Sequence, residues 1–126
     1  MKVDASFPLR YALEVRHKSF MTQEFFELLR THNIAFVFAD TARKFPYAED
    51  LTSDFIYIRL HGATKLYVSG YSGESLKWWA DRIEHWRKGK QPRDALPLDV
   101  FVYFDNDAKV YAPFDAQRLA AQLGVQ

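Results

Sequence analysis

The chain has no cysteine, which excludes disulfide frameworks, thiolate zinc sites and cysteine nucleophiles together. Any metal would have to be held by His, Asp or Glu. No apolar run approaches the ~20 residues a membrane-spanning helix needs, and Met1 to Pro8 contain nothing like the apolar core of a signal peptide. The expectation is a cytoplasmic protein without a membrane partner. Charge of one sign is lacking too: 17 Lys and Arg against 16 Asp and Glu leave a net +1. Nothing global therefore draws the chain to nucleic acid, although a local basic face stays open. Glycine is scarce, at five residues, and no Gly-rich turn follows the first strand-like segment, so a dinucleotide-binding sheet has no support. What is present is an ordinary globular balance over 126 residues, 48% hydrophobic and 26% charged, suited to a single domain spanning 1–126. Aromatic residues reach 17%, with Trp78, Trp79 and Trp86 crowded together.

Hydrophobic periodicity orders the chain. Tyr11 to Arg16 alternates, with Tyr11, Leu13 and Val15 on one side and Ala12, Glu14 and Arg16 on the other, and reads as a strand. Thr22 is placed to cap a helix carrying Phe25, Phe26, Leu28 and Leu29, with Asn33 as its stop. Ile34 to Ala39 is apolar on both faces, as a strand in a parallel sheet is, and ends at Asp40. Thr41 to Asp54, with Pro46, shows no period and reads as a long loop. Phe55 to His61 is a third strand, released by Gly62. A helix from about Ser72 carries Leu76, Trp79, Ala80, Ile83 and Trp86 or Arg87 on one stripe and stops at Gly89. That stripe explains the tryptophan cluster as core, with Trp78 and Arg82 left as an exposed or interface pair. Lys90 to Pro97 is a polar connector, Leu98 to Phe104 a fourth strand, and Pro113 opens a closing helix with Asp115, Leu119 and Leu123.

Strands and helices that alternate in this way build a parallel α/β sheet, and four βα units make half of a TIM (β/α)8 barrel; a doubly wound open sheet is the rival. In a barrel, outward strand residues meet helices, whereas inward residues fill the interior and supply a site at the C-terminal strand ends. Parity sends Leu13, Val15, Ile56, Ile58, Leu60, Val100, Val102 and Phe104 outward. It sends Glu14, Arg16, Phe36, Phe38, Asp40, Tyr57, Arg59, His61, Tyr103 and Asp105 inward or to the rim. Glu14, Arg16, Asp40 and Arg59 should then pair with one another or with a ligand, because a broken buried pair costs roughly 3–5 kcal/mol. His61 at a strand end is suited to acid–base work, with Glu14 and Asp40 as partners. Arg16 and Arg59 are suited to an anion such as phosphate, because a guanidinium fork binds it in bidentate fashion and keeps its charge. His17, Glu14, Asp40 and Asp105 beside His61 could form a His/carboxylate set, yet no metal-ligand spacing such as H-E-x-x-H occurs, so no metal is assigned and no cofactor is indicated.

Ala12-Leu13-Glu14-Val15-Arg16-His17 with Ser19-Phe20, Phe38-Ala39-Asp40, Tyr57-Ile58-Arg59-Leu60-His61-Gly62, Tyr71-Ser72 before Leu76 and Trp79, and Val102-Tyr103-Phe104-Asp105-Asn106 together resemble the YecE-like family, the domain of unknown function numbered 72. The resemblance runs from about Leu9 to Gly124. It implies a TIM-barrel-like fold of roughly twice this length, these elements being its last four strands. It also implies a cleft-facing set of Glu14, Arg16, Asp40, Arg59, His61, Tyr71 and Asn106, and it brings no reaction with it. Half a barrel leaves two sheet edges and a charged inner face open. Three accounts fit: a fragment of a longer protein, a natural half-gene paired with another chain, or a homodimer of two copies. The functional expectations are a small anionic ligand bound with hydrolase-like acid–base chemistry, a nucleotide or nucleic-acid binder that stacks bases on Trp78 and Tyr71, or a structural and interaction module.

Overall fold

A computed structural model describes residues 9–41, 47–62, 70–88, 99–106 and 109–125. The order of elements is β1 (Tyr11–Leu13), a 3-10 turn (Lys18–Phe20), α1 (Gln23–Thr31), β2 (Ile34–Phe36), β3 (Phe38–Asp40), β4 (Phe55–Leu60), α2 (Gly73–Arg87), β5 (Asp99–Phe104) and α3 (Ala112–Leu123). All the pairings are parallel: β1 with β2, β3 with β4, and β4 with β5. The mixed α/β class with parallel strands agrees with the alternation in the sequence.

The helix boundaries follow local chemistry. Thr22 Oγ1 accepts the Phe25 N–H at 3.1 Å and starts α1, and just past that helix Asn33 takes a left-handed φ of 53°. Ser72 Oγ accepts the Ser75 N–H at 3.1 Å and starts α2, which has Glu74 in its first turn and His85 and Arg87 in its last. Gly89, expected as its stop, lies outside the described residues, as do Pro46 and the connector from Lys90 to Pro97. Pro113 sits in the first turn of α3, and Gly124 ends it at φ 71°, with the Val125 N–H donating to the Ala120 carbonyl at 3.0 Å.

The first strand is shorter than its alternation suggests, ending at Leu13. The second divides in two at Val37. Val37 N–H donates to the Leu13 carbonyl at 3.0 Å, so the backbone N–H at this position points to β1. On the other side the Thr52 hydroxyl accepts from Phe36 N–H at 2.8 Å and donates to the Ile34 carbonyl at 2.6 Å. A side chain from the loop therefore satisfies the β2 backbone until Phe38 takes up register with Ile58 of β4.

The core lies between the sheet and the helices. Ile56, Ile58 and Leu60 are buried with Leu76, Trp79, Ile83, Trp86 and Leu119, which places the α2 stripe against the strands as its period requires. Val100, Val102 and Phe104 pack partly buried against the same cluster. Phe36 and Phe38 correct the parity expectation. They were expected to point inward, yet the Phe36 ring meets Phe26 of α1 at 5.1 Å and the Phe38 ring meets Trp86 of α2 at 5.3 Å. A strand apolar on both faces carries no period-2 contrast, so its facing cannot be taken from sequence. Leu13, expected beneath a helix, is 43% exposed.

Candidate functional site

Three strand ends bring charged side chains together. Glu14 follows β1, Arg59 is near the end of β4 and His61 follows it, and Asp105 follows β5, whose register sets Leu60 beside Phe104. His61 is fully buried, and its N–H donates to the Asp40 carbonyl at 2.8 Å, which continues the β3–β4 ladder by one residue. Its Nε2 lies 3.1 Å from Glu14 Oε1 in hydrogen-bond geometry. Its Nδ1 lies 3.2 Å from Asp105 Oδ2, close but without that geometry. Arg59 is hydrogen-bonded to Asp105 and sits 3.6 Å from Glu14, while Arg16 is hydrogen-bonded to Glu14. One imidazole thus stands between two carboxylates, each of which also meets a guanidinium.

Glu14 shows how the balance falls. Burial by itself raises a carboxyl pKa, but the hydrogen bonds from His61 and Arg16, together with their charges, outweigh it and hold Glu14 below its ordinary value. The carboxylate is therefore an ionised hydrogen-bond acceptor at neutral pH, suited to orient the His61 ring. The Arg16 and Arg59 side chains stay 43% and 33% exposed.

Asp40 takes a different place from the one expected. Its Oδ2 accepts from the Tyr71 hydroxyl at 3.1 Å, and the same hydroxyl oxygen accepts the Gly62 N–H at 3.1 Å, where Gly62 turns the chain at φ 133°. Burial and the neighbouring Asp40 carboxylate raise the Tyr71 phenol pKa, which keeps it a neutral donor. Tyr71 is 2% exposed, so it has no ring face for a base to stack on, and of the two expected stacking groups only Trp78 is open, at 47%. The Arg82 guanidinium lies 5.3 Å over Trp78 and 5.1 Å over Trp86, and it also pairs with Glu49.

Asn106 is buried as well, its amide donating to Asp115 Oδ2 at 2.8 Å. The same carboxylate oxygen accepts the Tyr71 N–H at 3.0 Å, and Arg118 reaches Asp115 Oδ1 at 3.2 Å and the Tyr71 carbonyl at 2.9 Å. Asp115 therefore ties the segment after β4 to the segment after β5. Its role was not foreseen, because a carboxylate in the first turn of a helix ordinarily faces solvent. Asp105 was foreseen as a neighbour of His61 but not as the partner of Arg59. His17 stands apart, its Nδ1 accepting the Ser19 N–H at 3.1 Å. Among the described residues no three His, Asp or Glu are grouped as a metal ion would require.

Below the strand ends, the sheet face away from the helices holds an open cleft of about 380 Å3, with Arg10, Ala12, Val37, Tyr57, Arg59 and Tyr103 in its wall. The rings of Tyr57 and Tyr103 stack at 5.2 Å and 24°. Burial, helped by Tyr103, raises the Tyr57 pKa. Arg10 lies 5.3 Å and 5.2 Å over the rings of Phe55 and Phe101 and pairs with Asp99 at 3.1 Å.

A family model described as "Protein of unknown function DUF72" matches residues 2–126. The chain is similar to a solved DUF72 family protein from Thermotoga maritima MSB8, at TM-score 0.78 and 29% identity over 94% of this chain and 48% of that one. It is also similar to two structures of a DUF72 family protein from Enterococcus faecalis V583. These align at TM-scores of 0.73 and 0.70, with 20% and 17% identity, over 94% of this chain and 48% and 50% of theirs. At that identity the Enterococcus structures speak to the fold alone. No curated protein matches. The chain spans about half the length of the solved structures it resembles. Among the described residues no helix is long and apolar enough to cross a membrane.

Proposed function

We propose that this chain, which belongs to the DUF72 family, is a single domain forming half of a (β/α)8 barrel, and that its strand ends bind a small phosphate-bearing anion. The half-barrel reading is supported by parallel strands with helices on one face, by the open aromatic and charged opposite face, and by relatives of twice the length. A barrel of this kind carries its site at the C-terminal strand ends, where the charged cluster lies. The covering half would come from the rest of a longer protein of which this sequence is a part, from a separate chain, or from self-association.

The observation that carries the ligand reading is Arg59: one-third exposed at the end of β4 and held between carboxylates from β1 and β5. Arg59 and Arg16, both with part-exposed side chains, meet the anion in charge-assisted hydrogen bonds. His61 and Glu14 hold and move a proton beside it in hydrolase-like chemistry. Asp40, Tyr71 and Asn106 act as positioning residues that fix the loops around the cluster. A second reading, a structural module without a ligand, draws on the same pairs, since each arginine already has a carboxylate partner.

Titration with inorganic phosphate by calorimetry separates the two readings. The ligand reading expects saturable binding that weakens about tenfold or more in Arg59→Gln, as loss of a charge-assisted contact does. No heat of binding, together with a lower melting temperature in Arg59→Gln, would leave the structural reading standing alone.

A further inference from the structure

The geometry points to His61 as the central cation of the strand-end cluster, held doubly protonated at neutral pH by Glu14 on one ring nitrogen and Asp105 on the other. The anion proposed above would then meet a cluster with one positive charge in excess. The assignment rests on that reading for its use but not for its test, which needs no ligand.

A neutral imidazole has one N–H donor and one acceptor nitrogen. Both nitrogens of His61 have a carboxylate oxygen close by, Glu14 Oε1 at 3.1 Å from Nε2 and Asp105 Oδ2 at 3.2 Å from Nδ1. In either neutral tautomer a ring lone pair faces one of those oxygens, and two acceptors repel. A second ring proton turns that repulsion into attraction. Asp105 Oδ2 stands off the line of a hydrogen bond to Nδ1, but attraction between opposite charges needs no such line.

The carboxylates are poor places for that proton. Asp105 Oδ2 already accepts from Arg59, and Glu14 Oε2 from Arg16. Burial raises the Glu14 carboxyl, yet contact with His61, first among the lowering causes, helps to hold it below its ordinary value. Burial also opposes a charge on the ring, and His61 is fully buried. One imidazolium between two carboxylates is a paired charge, however, and paired charges are the ones that interiors hold.

The other charged groups here have partners of their own. Arg59, from the same strand, pairs with Asp105 and lies 3.6 Å from Glu14. Asp40 of β3 meets His61 through its backbone carbonyl and gives its carboxylate to the Tyr71 hydroxyl. Asp115 serves Tyr71 and Asn106. Arg16, Arg59 and His61 then stand against Glu14 and Asp105, three cations and two anions. In acid–base chemistry at this site the ring starts as the acid. These residues bury His61 by themselves, so the assignment does not wait on what else meets the sheet.

Heteronuclear NMR of the histidine ring nitrogens in the ligand-free chain is the test, because an unprotonated ring nitrogen gives a separate, far-downfield line. At neutral pH His61 is expected to lack that line. Asp105→Asn removes one carboxylate and keeps its shape, so there the line should appear at Nδ1. A bare ring nitrogen at neutral pH in the unaltered folded chain overturns the assignment, as does a ring indifferent to a folded Asp105→Asn. Should Asp105→Asn not fold, raising the pH on the unaltered chain decides. A second proton kept to higher pH than at the exposed His85 supports the assignment, and one lost at the same pH or lower overturns it. Sulfate, a dianion across that range, is titrated separately by calorimetry. A doubly protonated ring without sulfate binding removes the ligand reading and leaves the assignment standing.

Discussion

Two faces of one strand, β4, meet different surroundings. On the helix side Ile56, Ile58 and Leu60 are 1%, 0% and 0% exposed. On the other side Tyr57 is half-buried and the Arg59 side chain is 33% exposed. Each buried aliphatic on the first face supplies roughly 1.5–3 kcal/mol by leaving water. The second face supplies little of that kind. The difference teaches that the fold of these residues rests on the helix side, which leaves the other face free to carry aromatic and charged groups.

Ile58→Ala is the largest expected effect and the sharpest test of that contrast. It empties a fully buried site and should lower unfolding free energy by about 2–5 kcal/mol in urea denaturation. Tyr57→Ala, one residue away on the open face, loses mainly its stacking on Tyr103 and should cost about 1 kcal/mol. Equal costs at the two positions would mean that the inner face belongs to the core of the single chain, and the comparison would break.

How much of this was readable beforehand follows the same division. The helix side announces itself by period and by caps: Leu76, Trp79, Ile83 and Trp86 recur at helical spacing, and Thr22, Ser72 and Pro113 mark helix starts through local chemistry alone. Glu14 beside His61 followed from strand parity. What could not be read depends on contacts between distant segments. Phe36 and Phe38 lie in a run apolar on both sides, so nothing local decides their facing. The break at Val37 exists because Thr52, from a loop, satisfies the neighbouring backbone. Tyr71 and Asn106 are short-range features of two loops, and their burial is set by Asp115 on a third segment.

Asp115 gives the next effect in size, and it links the two faces. Its carboxylate accepts from Tyr71 N–H and from the Asn106 amide, both buried, and so joins the loops that carry the site to the helix layer. Asp115→Ala removes the acceptor of these two buried hydrogen bonds and should cost about 1–3 kcal/mol, read as a lower melting temperature. The Ile58→Ala chain, destabilised on the helix face of β4, should keep the chemical shifts of Tyr71 and Asn106 while folded, and the Asp115→Ala chain should lose them. If both variants left those shifts alone, Asp115 would be a packing residue and not the tie between the loops.

The smallest expected effect is a slope against pH, and it concerns the inner face alone. Glu14 is held below its ordinary carboxyl value of 4.5 because His61 and Arg16 outweigh its burial. A group whose pKa is lower folded than unfolded adds stability that is fully present above the unfolded value and lost as pH falls through the folded one. Stability should therefore decline as pH falls below about 4.5, and Glu14→Gln, which cannot ionise, should flatten that part of the decline while lowering stability at neutral pH. Denaturant midpoints taken across the acid range for both chains measure it. An unchanged slope would mean that Glu14 gains nothing from His61 and Arg16 in the folded chain, and the strand-end cluster would then be a crowd of solvated charges, not a paired site.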